Sequence, residues 1–141
     1  MENSDIDIVP SGGGVGAFIE GIDLGQDLSD NIVGTLRSAL GEHGVLFFRD
    51  QDISPEDHIA FAEKFAPINI NRFFAHVDGH PKIAQVLKEP HQKKNIGGGW
   101  HTDHTYDIEP AMGSILVARE TPTHGGDTIY ASTCRAHETL S

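Results

Sequence analysis

Gly97-Gly98-Gly99-Trp100-His101-Thr102-Asp103 is the stretch of this 141-residue chain that says most about its fold and chemistry. His101 and Asp103 are two positions apart in a segment predicted to be extended, and side chains at i and i+2 of a strand project from the same face. An imidazole nitrogen and a carboxylate oxygen can therefore converge on one point. With a second histidine from elsewhere, such a pair forms the three-ligand face that binds non-haem Fe(II). A His-x-Asp pair alone is common by chance, so the interpretation of this pair as a metal site depends on the surrounding sequence.

Composition limits the classes of protein and partner. Hydrophobic residues make up 38% and charged residues 22% of the chain, as in an ordinary globular protein, and the length fits one domain. Ten basic and 21 acidic residues give a net charge of −11, which disfavours nucleic acid and anionic membrane surfaces as partners. Cys134 is the single cysteine, which excludes an intrachain disulfide and a Cys-rich zinc site.

The N-terminal residues and the apolar runs of the sequence indicate the cellular location of the protein. The first residues are acidic and show no basic start or apolar stretch of a signal peptide. The longest apolar runs, at residues 44–48 and 115–118, are too short to span a bilayer. We expect a cytoplasmic protein that acts on a small molecule, with homo-oligomerisation left open.

Helix and strand signals alternate along the chain. Helices are predicted after Ser29 or Asp30 until Gly44, from Ser54 until Pro67, and from Ser132 or Thr133 onward. Short strands are predicted near Ile6 and Ile8 and at residues 17–24, 45–48, 83–87, 100–106, 113–118 and 128–131. Early helices followed by many strands indicate an α+β domain, mainly β, in which helices pack on a β-sandwich or barrel. The chain stops at Ser141 within the last predicted helix, so we expect a single domain over residues 1–141 that is truncated at its C-terminus.

Several short motifs together resemble one enzyme family. Residues 100–103 are followed by Pro110, Ser114-Ile115-Leu116 and Pro122, and then by Gly125-Gly126-Asp127-Thr128, while residues 44–51 read Gly-Val-Leu-Phe-Phe-Arg-Asp-Gln. This order resembles the taurine dioxygenase and 2,4-dichlorophenoxyacetate dioxygenase (TauD/TfdA) family. The resemblance implies a double-stranded β-helix (jelly roll) with flanking helices, of which this chain is the N-terminal half.

The resemblance also implies cofactors and site residues. His101 and Asp103 would be Fe(II) ligands, and the Thr128 hydroxyl would bind the distal carboxylate of 2-oxoglutarate. The alternative for Thr128 is an ordinary strand threonine after a Gly-Gly turn. The implied reaction uses O2, converts 2-oxoglutarate to succinate and CO2, and hydroxylates a substrate. It implies no catalytic residue beyond the metal ligands, and an aspartate at position 103 favours hydroxylation over halogenation.

Two parts of the family pattern are missing from the sequence. The second metal histidine and the arginine that binds 2-oxoglutarate would lie well downstream of Thr128, and neither His137 nor Arg135 can take these roles. We therefore expect the chain alone to bind Fe(II) weakly and to be inactive.

The substrate residues are less well defined by the sequence. The match to the taurine-binding residues of the family is poor, which weakens the case for taurine itself, and we expect a small, anionic organic substrate. Arg72 could recognise such an anion, and the candidate pocket residues are Asn71, Phe74, His76, His104 and Tyr106. His104 would point away from the metal on an ideal strand and needs a bulge or bend to face it.

Two other functions compete with the oxygenase. Residues 101–104 resemble part of the His-x-His-x-Asp-His motif of binuclear zinc hydrolases, but position 99 is glycine rather than the first histidine. A non-catalytic fragment or degenerate member could instead act only in binding, through an exposed sheet edge. Two bound zinc ions would favour the hydrolase.

Overall fold

The computed structural model describes residues 6–140, which form two compact units. One unit comprises residues 6–53 and 118–140, and the other comprises residues 54–117. The predicted single domain over residues 1–141 is not tested by this division and stays a prediction.

A three-stranded sheet organises the first unit. Its strands are β1 (Asp7–Pro10), β2 (Ala17–Glu20) and β3 (Leu46–Phe47). β1 pairs antiparallel with β2, and β2 pairs parallel with β3, with Ala17 opposite Leu46. The strands predicted at residues 17–24 and 45–48 are therefore present, but shorter.

Helix α1 (Asp30–His43) connects the two parallel strands and covers the core. The Ser29 hydroxyl caps its N-terminus by accepting a hydrogen bond from the Ile32 N–H, and Gly44 ends it with φ 75°. Val33, Leu36 and Ala39 recur at helical spacing and are buried. They belong to the main apolar core of the first unit, together with two residues of β2 and three residues of the connecting segments: Ala17, Ile19, Leu24, Leu28 and Ile53.

The second unit begins with helix α2 (Pro55–Phe65). Its first turn is a capping box in which Ser54 and Asp57 each satisfy the other's backbone N–H. Phe61 is buried and contacts Phe65, with ring centroids 5.1 Å apart.

A small antiparallel hairpin follows α2. Strands β4 (His76–Val77) and β5 (His80–Ala84) form it, with an irregularity between the two residues of β4. Side-chain ion pairs join β5 to α2: His80 Nε2 lies 2.7 Å from Glu56 Oε1, and Lys82 pairs with Glu63. β5 overlaps only the start of the strand predicted at residues 83–87.

Three predicted strands are wrong for the part of the chain that is described. Residues 100–106, 113–118 and 128–131 adopt irregular backbone, and they contribute no strand to either sheet. A strand needs hydrogen bonds to a partner, and apolar alternation alone does not supply one. The expectation of a mainly β structure is also wrong for residues 6–140, because helices of 14, 11 and 6 residues outweigh strands of 2 to 5 residues.

The predicted third helix is present as α3 (Thr133–Glu138), with Ser132 as its N-cap. Helices and short strands together agree with the α+β class, and the jelly roll stays an expectation. Within residues 6–140, no helix has the length and apolar character needed to cross a membrane.

Candidate metal centre

The side chains of His101 and Asp103 converge, as their spacing predicts, although they are not on a strand. His101 Nε2 lies 3.2 Å from Asp103 Oδ1, and both side chains are more than half exposed. The backbone is irregular at His101 and bends from Asp103 onward. The sequence-based expectation was therefore right about the pairing and wrong about the strand.

Each of the two side chains has an outer hydrogen bond that orients it. His101 Nδ1 lies 2.8 Å from the carbonyl oxygen of Gly99, which can only accept, so Nδ1 donates to it and Nε2 is the nitrogen that faces Asp103. The Ser114 hydroxyl donates to Asp103 Oδ2 over 3.0 Å, which leaves Oδ1 facing His101. Outer partners of this kind orient the ligands of protein metal sites.

The pair fits one first-row metal ion. Two donor atoms at right angles, each about 2.1 Å from a shared ion, are about 3.0 Å apart. The observed 3.2 Å between His101 Nε2 and Asp103 Oδ1 is close to that separation. A neutral nitrogen and a carboxylate oxygen also form a donor set that Fe(II) accepts. Residues 6–140 bring no third histidine, cysteine or acidic side chain to the pair, so it can supply two ligands.

Gly97 provides the space beside the His101 ring. Its φ is 67°, and a Cβ atom built there would lie 3.2 Å from His101 Cε1 and 3.9 Å from Nε2. Glycine adopts this positive φ without steric cost, and the missing side chain leaves room for the imidazole.

The candidate substrate residues lie together around Asn71 and His104. Asn71 Nδ2 lies 3.4 Å from His104 Nε2, and the His104 ring packs 5.6 Å from that of Tyr106. His76 Nε2 donates to the Asn71 carbonyl oxygen over 3.0 Å, and the Phe74 N–H donates to Asn71 Oδ1 over 3.2 Å. These contacts group all five residues, and their role in substrate binding stays a prediction.

Asp107 joins this cluster and was missed by the sequence analysis. Its Oδ2 lies 3.2 Å from His104 Nδ1, and its Oδ1 accepts from Arg72 Nη2 over 2.9 Å. Arg72 also lies over the Phe73 ring, 5.2 Å from its centroid. The Arg72 charge is thus already paired, which makes it a weaker anion receptor than its sequence suggests. Only the i, i+3 spacing of His104 and Asp107 could have indicated the contact.

Thr128, the predicted 2-oxoglutarate contact, belongs to the unit of residues 6–53 and 118–140, whereas the metal pair belongs to the other unit. Its side chain is exposed, and its segment is irregular. The cosubstrate role of Thr128 stays a prediction from the sequence.

Comparison with known proteins identifies relatives over nearly the whole chain. The model of the taurine catabolism dioxygenase TauD, TfdA family matches residues 7–141. An alpha-ketoglutarate-dependent sulfonate dioxygenase of Saccharomyces cerevisiae is 30% identical over 90% of this chain and 33% of its own length. An alpha-ketoglutarate-dependent sulfate ester dioxygenase of Pseudomonas putida is 32% identical over 96% of this chain and 44% of its own length.

A solved structure supports the same relationship. The crystal structure of a taurine dioxygenase from Burkholderia xenovorans matches with a TM-score of 0.58 and 38% identity, over 74% of this chain and 37% of that one. The chain thus spans less than half the length of these relatives.

Proposed function

This chain belongs to the taurine catabolism dioxygenase TauD, TfdA family, and on that premise we propose that it is part of an Fe(II)- and 2-oxoglutarate-dependent dioxygenase. The observation that carries the proposal is the pairing of His101 Nε2 and Asp103 Oδ1 at 3.2 Å, each with its outer hydrogen bond. In this role the two side chains hold Fe(II). When bound, Fe(II) and 2-oxoglutarate use O2 to hydroxylate a substrate, with release of succinate and CO2.

The chain's own residues prepare the metal site in this proposal. The Gly99 carbonyl accepts from His101 Nδ1 and so directs Nε2 toward the metal, and the Ser114 hydroxyl holds one Asp103 oxygen so that the other is free for the metal. The complete site requires a third protein ligand, which residues 6–140 do not provide. Thr128 is the proposed contact for a 2-oxoglutarate carboxylate, since a threonine hydroxyl donates to an anion without adding charge.

We further propose a small anionic organic substrate. The two named relatives act on a sulfonate and on a sulfate ester, and both groups carry negative charge. Asn71, Phe74, His76 and Tyr106 supply polar groups and aromatic surface within the unit that contains the metal pair.

The proposal is tested by anaerobic absorption spectroscopy of the purified chain with excess Fe(II) and 2-oxoglutarate. We expect a visible metal-to-ligand charge-transfer band that is lost in His101→Ala and Asp103→Ala. His91→Ala is the matched control, because it removes an exposed histidine outside the site, and it should keep the band. No band at saturating concentrations, or binding of two zinc ions instead, would contradict the proposal.

A further inference from the structure

His104, which directly follows the Asp103 ligand, has an unusual backbone conformation. Its φ is 50°, in the left-handed region that few residues other than glycine adopt, with asparagine, aspartate and histidine the most frequent exceptions. A residue keeps this conformation only where surrounding contacts hold it, and such residues cluster at functional sites. The contacts of the His104 side chain should therefore explain its conformation.

Both ring nitrogens of His104 are engaged by the protein. Asn71 Oδ1 accepts the N–H groups of Phe73 and Phe74 at 2.8 and 3.2 Å, so its Nδ2 is the atom that faces His104 Nε2. On the other side, Asp107 Oδ2 lies 3.2 Å from His104 Nδ1. A carboxylate accepts and an amide NH2 donates, so these partners require the tautomer with Nδ1–H and a lone pair on Nε2.

Two aromatic rings and an ion pair also restrict the position of the His104 side chain. The His104 ring packs 5.7 Å from the Phe73 ring and 5.6 Å from the Tyr106 ring. Arg72 pairs with the other oxygen of Asp107 and thereby fixes the acceptor of His104 Nδ1. His104 thus connects the turn at residues 71–74 to the loop at residues 103–107.

We infer that His104 is a positioning residue for the Asp103 carboxylate rather than a substrate ligand. Its fixed ring holds the left-handed turn immediately after Asp103, and this turn orients Asp103 toward His101 Nε2 at 3.2 Å and toward the Ser114 hydroxyl. With both nitrogens engaged, the ring has no free donor or acceptor for a substrate. The inference rests on the proposed role of His101 and Asp103 as metal ligands.

The first test is the tautomer of His104 in the metal-free chain, read from a long-range 1H–15N correlation spectrum of the histidine rings. We expect the Nδ1–H form for His104. An Nε2–H form, or a ring that averages between the two, would overturn the inference.

The second test is Co(II) affinity of the whole chain, followed by paramagnetic broadening of the His101 ring signals. His104→Ala should weaken binding about ten-fold, the loss typical of an outer partner of a ligand. Asp107→Ala should weaken Co(II) binding to a similar extent, because it removes the acceptor of His104 Nδ1 and leaves the His104 ring in place. This variant replaces His104→Ala in the test if His104→Ala fails to fold. His104→Asn should bind more tightly than His104→Ala, because asparagine tolerates the left-handed region.

Controls separate this inference from the proposed function. His91→Ala should bind Co(II) like the parent chain. Parent-like affinity in both His104→Ala and Asp107→Ala, with binding abolished in His101→Ala, would overturn the positioning role and leave the metal site intact. Parent-like affinity in His101→Ala and Asp103→Ala would instead contradict the metal site.

Discussion

At the scale of single residues, Gly97 is a position where one methyl group should disturb the metal pair. With φ at 67° and His101 Cε1 only 3.2 Å from where an added Cβ atom would lie, Gly97→Ala strains the backbone and presses on the ring edge that carries Nε2. We expect a loss of about 1 kcal/mol or more in unfolding free energy, as for alanine at a positive φ. Chemical denaturation measures this loss, and Co(II) titration should show weaker binding.

Gly99→Ala is the matched control for Gly97→Ala. A Cβ at Gly99 meets nothing within 4 Å, and its φ is not in the left-handed region. The Gly99→Ala variant should keep both stability and Co(II) affinity. Equal effects of the two substitutions would show that the short distance between Gly97 and the His101 ring affects neither stability nor Co(II) affinity.

The site residues differ in how far the sequence could predict them. His101 and Asp103 were predictable because their two-residue separation favours convergence locally, and they meet at 3.2 Å even without a strand. Asp107 and Ser114 were not assigned roles, because their contacts with His104 and Asp103 depend on the path of an irregular loop. No periodicity encodes such a path.

At the scale of elements, the capping box of α2 makes a direct stability prediction. The Ser54 hydroxyl accepts from the Asp57 N–H at 3.1 Å, and Asp57 Oδ2 accepts from the Ser54 N–H at 2.9 Å. Ser54→Ala should reduce the free energy of unfolding by about 1 kcal/mol, measured by urea denaturation. Ser38→Ala, at an exposed position within α1, is the control and should be neutral or slightly stabilising. A neutral Ser54→Ala would refute the role of the cap.

The ion pair between Glu56 of α2 and His80 of β5 should make the stability of the contact between these two elements depend on pH. The hydrogen bond to Glu56, and next the one to the Asp78 carbonyl, raise the pKa of His80 above 6.5. The same hydrogen bond to His80 lowers the pKa of Glu56 below 4.5. The His80 contribution is complete below 6.5 and is lost as pH rises through its raised pKa. The Glu56 contribution is complete above 4.5 and is lost as pH falls through its lowered pKa.

A double-mutant cycle with His80→Gln and Glu56→Gln isolates this pair from the effect of Glu56 on the helix dipole. We expect the coupling free energy to be largest between pH 4.5 and 6.5 and to fall on both sides. Denaturation curves across pH provide the measurement. A coupling that does not vary with pH would be inconsistent with a charged pair.

The sequence predicted the helices more accurately than the strands, and the reason is physical. The signals for α1 and α2 are local: Ser29 and Ser54 cap the helices, and Gly44 ends the first one. Strands depend on distant partners, so the apolar run at residues 113–118 could not reveal that no strand pairs with it in the described chain. Helix boundaries were thus predictable to within a residue or two, and sheet membership was not.

At the scale of the whole molecule, exposed apolar side chains dominate the behaviour we expect in solution. Large apolar residues that are at least 70% exposed occur in both units: Trp100, Ile108, Leu116, Ile129 and Leu140. Apolar exposure of this extent favours association. We expect size-exclusion chromatography with light scattering to show a mass that increases with concentration. A constant monomer mass over a wide concentration range would contradict this expectation.

The family relationship holds over nearly the whole chain, and it predicts an iron ion bound by His101 and Asp103. The most direct measurement is an anomalous-difference map at the iron absorption edge, from crystals of the chain grown anaerobically with Fe(II) and 2-oxoglutarate. We expect one iron peak in contact with His101 Nε2 and an Asp103 carboxylate oxygen. Iron bound elsewhere, with His101 and Asp103 still paired only to each other, would contradict the assignment.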